Sequence, residues 1–392
     1  MNKPRRVLLL TRHFWPAATD EALRLHQFAH QLRSKGIEAT IATPRWHSRW
    51  PSLIWVDEFP VFRIDHPPIS SLRSGKYQRS VARFVETTKH QFDLVYCDSP
   101  DLEAAAVLDR VSRLERPATV VRYDSRILQP SLLNLDVLRK ADLVMADGAI
   151  AHKQLLGFGL SGPQIYRCEA QQWQELDRSA EARRIARRML GEINHDLFVR
   201  SADRVVVCPG ALSEGWCIDL LIRALCRAVD DCRSLRLWIL GDGPKRGRFY
   251  EALRREGIHN LVAMPGIFSS IDEVLKAADL CVFPAPAEGY GWLVPTCLAS
   301  GIPLVCADCV QARYLLGSNS DQCVVSPDDP HSLGKWIENW YYKPEPAVAL
   351  AKEQQRVWLR RSDASPNLTA VWENLNSGPL QRSSGHGKLL FD

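Results

Sequence analysis

No apolar run in this 392-residue chain reaches the ~20 residues that a membrane-spanning helix needs. The short apolar stretch after "MNKPRR" is also too brief for the core of a secretion signal. A strong charge imbalance is missing. The net charge of +5 permits contact with phosphates or an anionic membrane surface without demanding either. A disulfide framework is missing as well. The 11 cysteines are odd in number, follow no repeating spacing and mostly sit inside apolar runs such as "RVVVCPG" and "DLCVFP". That usage fits small core side chains in a reducing compartment. Cys306 and Cys309 in "PLVCADCVQ" form one CxxC without the second pair of a zinc site, and read as structural. His26 and His30 share a helical face, but the sequence puts no acidic or cysteine partner beside them at zinc spacing. The expectation is a soluble, cytoplasmic protein with no metal, no other cofactor and no nucleic acid partner.

What is present is ordinary globular material. Apolar residues make up 46% and charged residues 24%, which allows sizeable cores and argues against global disorder. The length suggests two domains. "RRVLLLTRHFWP" reads as a buried parallel strand running into a turn. "DEALRLHQFAHQLRSKG" reads as a helix that Asp20 can cap and Gly36 can stop. "IEATIATP" is the next strand. The same order recurs through "FDLVYCDSP", "DLEAAAVLDRVSRLE", "PATVVRYDS" and "ADLVMADG".

A polar, arginine-rich stretch at about 171–196 interrupts the pattern, which restarts at "DRVVVCPG" and continues to "DDPHSLGKWIENWYY". The doubled alternation predicts an α/β fold of two doubly wound domains facing each other, with ligands at the carboxyl ends of the strands. The expected first domain is 1–180 and the second 200–345. Residues 346–376 are expected as a helical segment packing back toward the first domain, and the Gly/Ser-rich 377–392 as a disordered tail.

Glycine-rich turns follow strands in the second half: "LGDGP", "MPGIF" and "AEGYGW". Glycine lets backbone N–H groups approach a ligand, and a helix N-terminus favours phosphate. Each turn alone is equally an ordinary loop; three in order, with helices between them, are more specific. "EARRIARR" puts Arg183 with Arg187, and Arg184 with Arg188, at helical i,i+4 spacing. This is either a stripe for acidic lipid or an anionic acceptor, or a solvated face. Trp46, Trp50 and Trp55 crowd the loop "RWHSRWPSLIW", either as an aromatic surface for sugar rings or as a packed lid.

The run from "GDGPKRGRFYEALRREG" through "PAPAEGYG" and "CLASGIPLV" to "VVSPDDPHSL" resembles the C-terminal domain of glycosyltransferase family 4. These are retaining GT-B enzymes that move a sugar from a nucleotide sugar. The resemblance covers roughly Val205 to Leu333. It extends more faintly over "FWPAATDEALRLHQFAHQLRSKGIEATIATP". It implies two facing Rossmann-like domains, the second holding the donor and the first a glycan or lipid-linked acceptor.

Carried over residue by residue, Glu288 matches the first of the family's two donor-site glutamates, and Thr296 stands at the second, ribose-binding one. The nucleotide base would lie near Gly266, Ile267 and Phe268. The phosphates would lie near the Gly210 turn and the "EGYG" turn with Gly289, Tyr290 and Gly291, and Gly241 and Gly243 complete the donor turns. Asp124 keeps the acid of a His-Asp pair in which Tyr123 replaces the histidine, and joins Glu288 as a catalytic candidate. Asp98 stands where a histidine is common. Ala17 and Ala18 replace a Gly-Gly loop. Ala211 and Trp216 replace the two cations that grip the diphosphate.

A leaving diphosphate needs such cations or preorganised donors, so these losses argue against full turnover. Lys245, Arg246, Arg122 and Arg12 are the candidate substitutes. Two functions follow. One is sugar transfer with retention in polysaccharide biosynthesis, in the cytoplasm or at the inner face of a membrane, with peripheral membrane contact. The other is a catalytically degenerate relative that binds a sugar nucleotide or glycan, or partners an active transferase.

Overall fold

Val7 to Leu10 are almost completely buried, as expected of a strand covered on both faces by helices. They belong to β1 (Arg6–Leu10), the centre of the first of two sheets. The structure, a computed structural model, describes residues 6–15, 19–68, 71–124, 130–168, 173–210, 212, 216–228, 232, 234–243, 245–266, 268, 270–286 and 289–361. The chain divides into two units. Unit 1 takes the described residues up to Arg12 and from Ala29 to 168; unit 2 takes His13–Phe28 and those from 173 to 361.

Unit 1 is built on eight strands. After β1 come β2 (Glu38–Pro44), β3 (Leu53–Val56), β4 (Phe59–Ile64), β5 (Leu94–Cys97), β6 (Ala118–Tyr123), β7 (Leu143–Asp147) and β8 (Ile165–Cys168). Their order is β3-β4-β2-β1-β5-β6-β7-β8. Every pairing is parallel except β3 with β4. Helix α1 (Asp20–Ser34) starts in unit 2 and ends in unit 1, and the helices of unit 1 are α2 (Ser71–Thr88), α3 (Leu102–Arg110), α4 (Leu132–Lys140) and α5 (Gly148–Gly157).

The hairpin corrects the reading of the tryptophan-rich stretch as one loop. Trp55 sits on edge strand β3 opposite Pro60 and is 67% exposed. Trp50 lies under Arg63, 4.4 Å from guanidinium carbon to ring centre. Trp46 donates to the Arg12 carbonyl at 3.3 Å. The three rings have separate jobs. The hairpin turn also brings acidic partners that the sequence did not show: His30 has Asp57 at 3.6 Å and Glu58 at 3.9 Å.

Unit 2 is an all-parallel, six-stranded sheet. Its strands are β9 (Arg204–Cys208), β10 (Leu235–Leu240), β11 (Val262–Gly266), β12 (Leu280–Phe283), β13 (Leu304–Ala307) and β14 (Val324–Val325). The order is β11-β10-β9-β12-β13-β14. From β9 the chain winds outward through β10 and β11, then returns to β12 and winds the other way. The order therefore reverses between β9 and β12, where a doubly wound sheet leaves a crevice at its carboxyl edge.

Helices α6 (Ala180–Ile193), α7 (Ile218–Ala228), α8 (Arg246–Arg255), α9 (Asp272–Ala277), α10 (Leu293–Ala299), α11 (Val310–Leu316), α12 (Pro330–Tyr342) and α13 (Glu345–Arg361) complete the unit. At Gly334 of α12 a side chain would meet the Ala224 carbonyl of α7 at 2.7 Å, so glycine sets how closely these helices pack. The polar stretch read as an interruption supplies α6, and its start is tied into unit 2. Gln174 N donates to Thr296 Oγ1 at 3.2 Å and Leu176 N to Ser300 Oγ at 3.0 Å. Helix α13, the described part of the segment expected at 346–376, lies against α10, where Gln355 Nε2 donates to the Ala299 carbonyl at 2.8 Å; the rest of that segment lies outside the described residues. The tail expected at 377–392 lies outside the described residues. No described helix is long and apolar enough to cross a membrane.

Candidate functional site at the carboxyl edge of unit 2

The glycine turns nominated from sequence all leave the carboxyl ends of unit 2 strands: Gly210 after β9, Gly241 and Gly243 after β10, Gly266 at the end of β11, and Gly289 to Gly291 after β12. Two of these turns are laced together. Leu212 N donates to the Asp242 carbonyl and Lys245 N to the Leu212 carbonyl, each at 3.1 Å. A Cβ at Gly243 would lie 2.3 Å from that Leu212 carbonyl oxygen, so glycine is needed for the backbones to meet. Gly241 N donates to the Gly266 carbonyl at 2.8 Å, joining a third turn to the set. Phe268 is partly buried against the unit 2 core. Ala17, Ala18, Ala211, Ile267 and Glu288 lie outside the described residues.

The switch point is lined from two sides. On the β9 side, Trp216 is buried (4% exposed), and its ring occupies the space over Gly210, where a Cβ would meet it at 2.1 Å. On the β12 side, the carboxylate of Asp20 receives three backbone donors: Gly291 N at 2.8 Å, Trp292 N at 2.8 Å and Leu293 N at 3.0 Å. These are the N–H groups that open α10, and a carboxylate there satisfies donors the helix itself leaves unpaired. The sequence marked Asp20 as the cap of its own helix. What it caps is the start of α10.

Two nominated side chains are spent on the fold. Thr296 is fully buried and its hydroxyl accepts from Gln174 N, so it is not presented to solvent as a ribose contact would be. Tyr290 is 3% exposed and donates to the Ala307 carbonyl at 3.3 Å. Burial, with Cys306 and Cys309 nearby, raises its pKa far above the ordinary phenol value. The Tyr290 side chain is therefore closed to a ligand. Cys306 is buried in the core, and Cys309 Sγ accepts from Ala312 N at the start of α11, so each thiol of the CxxC has a structural part.

Of the four candidate replacement cations, Arg12 and Arg122 are engaged within unit 1. Arg12 makes a two-pronged pair with Glu103 at 2.6 and 2.9 Å. Arg122, 3% exposed, binds Asp124 at 2.9 Å and also pairs with Asp147. Burial works against its charge, but Asp147, Asp124 and Asp98 outweigh it and hold its pKa above the usual arginine value. Asp124 is thus clamped at the carboxyl end of β6. Tyr123 is fully buried and packs edge-on to Phe158. Arg246 remains at the site. Its Nη2 donates to the Met264 carbonyl at 2.6 Å, and its Nη1 lies 3.6 Å from where a Gly266 Cβ would be.

The family model of glycosyl transferases group 1 matches residues 203–341, the stretch that carries these turns. Over 329 residues the chain is 26% identical to exopolysaccharide phosphotransferase SCO2592 of Streptomyces coelicolor, covering 76% of this chain and 34% of that protein. The chain thus spans about a third of that relative's length. Among solved structures it is similar to sucrose-phosphate synthase from Thermosynechococcus elongatus, with a TM-score of 0.69 at 16% identity over 95% of this chain and 98% of the other. It is also similar to Anabaena Alr3699/HepE, solved in complex with UDP and glucose, with a TM-score of 0.68 at 20% identity over 95% and 100%. The chain therefore has the GT-B fold of two Rossmann-like parallel sheets, and its residues 203–341 carry the match to the glycosyl transferases of group 1.

Proposed function

We propose that the chain is a glycosyltransferase of polysaccharide assembly. It takes a sugar from a nucleotide-sugar donor held at the carboxyl edge of unit 2 and passes it, with retained configuration, to a glycan or lipid-linked acceptor. The observation that supports this reading is that the Gly210, Gly241–Gly243, Gly266 and Gly289–Gly291 turns all leave the carboxyl edge of one sheet, with the first and last flanking its switch point, inside the group 1 segment. Glycine at these turns lets a ligand come close to the backbone. Arg246 supplies a nearby cation. Asp124 serves the acceptor side, its carboxylate oriented by Arg122. The reading requires no metal ion.

A second reading has its own support. Trp216 fills the space over Gly210, Thr296 is tied to Gln174, and Asp20 holds the amides at 291–293. Each removes something a donor would use, and together they favour weak donor binding, with slow turnover or none. Incubation with labelled nucleotide sugars, scoring donor hydrolysis and transfer to lipid-linked and glycan acceptors, separates the two. Release of sugar from at least one donor supports the transferase. Saturable donor binding with no sugar released supports the binding protein.

A further inference from the structure

Asp279, in the turn just before β12, is shared by too many cations. Arg183 and Arg187 of α6 both pair with it, Arg187 at 2.5 Å. Its Oδ2 also accepts from Val205 N at 2.7 Å. Arg178 lies beside this group. Its Nη1 donates only to the carbonyls of Leu275 and Ala278, at 2.9 and 2.8 Å. Among the described residues no carboxylate lies within ion-pair distance of Arg178, and burial together with the neighbouring Arg183 lowers its pKa to about 10. Three guanidiniums thus face one carboxylate. A buried cation without a counter-charge is costly, and a bound anion would offset that cost.

These groups line a cleft of ≈ 1330 Å³ at the amino ends of β9, β12 and β13. That is the edge of the sheet opposite the glycine turns. Eight Lys/Arg and five Asp/Glu line the cleft, leaving an excess of positive charge. Arg200, Arg204 and Lys352 stand at it with no carboxylate in ion-pair range among the described residues. Arg183 Nε is buried and makes no hydrogen bond, which adds to the cost of holding this cation here. The stripe read from sequence is therefore two faces. Arg184 and Arg188 stand at the solvated rim of the cleft beside Glu181 and Glu192, whereas Arg183 and Arg187 are more buried and pair with Asp279.

We propose that this cleft is a binding site for a phosphate ester, separate from the donor turns. The guanidinium fork matches phosphate oxygens. A phosphomonoester carries about −1.5 to −2 charges at neutral pH, which balances the uncompensated pair of cations at Asp279. The site does not depend on whether the chain transfers sugar.

The test uses the full chain and two probes. Sodium tripolyphosphate is titrated calorimetrically, and vesicles of phosphatidic acid, whose headgroup is a phosphomonoester, are used in co-sedimentation. The variants are Arg200→Glu with Lys352→Glu, both on exposed positions so that folding is preserved, and Lys245→Ala at the opposite edge. Tripolyphosphate binding that weakens about tenfold or more in the double variant, and is kept in Lys245→Ala, establishes the site for a soluble phosphate. Vesicle binding alone, lost in the same double variant, establishes it for a lipid headgroup. Binding of neither probe, or binding that survives the double variant, overturns the proposal.

Discussion

The carboxylate of Asp20 accepts from Trp292 N at 2.8 Å and is itself almost wholly buried. A residue near the start of the chain thus holds the entrance to α10, 272 positions later. With Gly291 and Leu293 it forms a three-donor cap at the switch point of the unit 2 sheet.

Replacing Asp20 with alanine is expected to destabilise the chain by about 1–2 kcal/mol, the upper range for a lost helix cap. Asp20→Asn should cost less, since one oxygen remains. Gly291→Ala should also destabilise, because the new methyl would lie 2.4 Å from Asp20 Oδ2. Urea denaturation midpoints check all three. An unchanged midpoint in Asp20→Ala would show that the cap carries no stability.

Much of this arrangement was legible in the sequence, because parallel strands buried on both faces leave continuous apolar runs. "RVVVC" and "LRLWIL" are unmistakable on that ground, and the glycine turns follow from their position after such runs. Hairpin β3–β4 was not legible: an edge strand with Trp55 exposed and Pro60 opposite it carries no clean alternation. Partners were not legible either. Residue type shows that Asp20 can accept hydrogen bonds, but not that its donors lie at 291–293. Thr296 looks like a shortened ribose contact until Gln174 is seen on its hydroxyl.

That bond makes a second prediction. Thr296→Val keeps the shape and strands the Gln174 N–H, at a cost of about 1–3 kcal/mol. Thr296→Glu, the change that would restore the family's residue, places a carboxylate in a fully buried position and should destabilise more. Thermal melts of both variants check the order. A Glu variant as stable as the native chain would mean that the 173–176 segment can move aside.

Gly210 and Trp216 should be coupled. Gly210→Ala drives a methyl into the indole and is expected to destabilise. Trp216→Ala empties a core position at a cost of about 3–5 kcal/mol. In the double variant the methyl has room, so the two costs should sum to more than the measured loss. Strict additivity in denaturant titrations would separate the two residues.

Asp272 gives a pH signature. Burial raises its pKa above the ordinary aspartate value, although Gln174 donates to it. The folded state then holds this proton more tightly than the unfolded state. Stability from this group is present at low pH and is lost as pH rises through the folded pKa. Asp272→Asn should therefore be more stable than the native chain at neutral pH. The gap should narrow as pH falls toward the unfolded value of about 3.9. Melting temperatures of the two proteins from neutral pH downward check the sign. A gap that widens on acidification would reverse it.

The most direct test of the account is calorimetric titration of the native chain and of Asp20→Ala with a panel of nucleoside diphosphates and nucleotide sugars. The account predicts saturable but weak binding of at least one nucleotide sugar by the native chain. It also predicts tighter binding once the amides at 291–293 are released from Asp20. Binding by neither form, or micromolar binding by the native chain that is indifferent to Asp20, would contradict it.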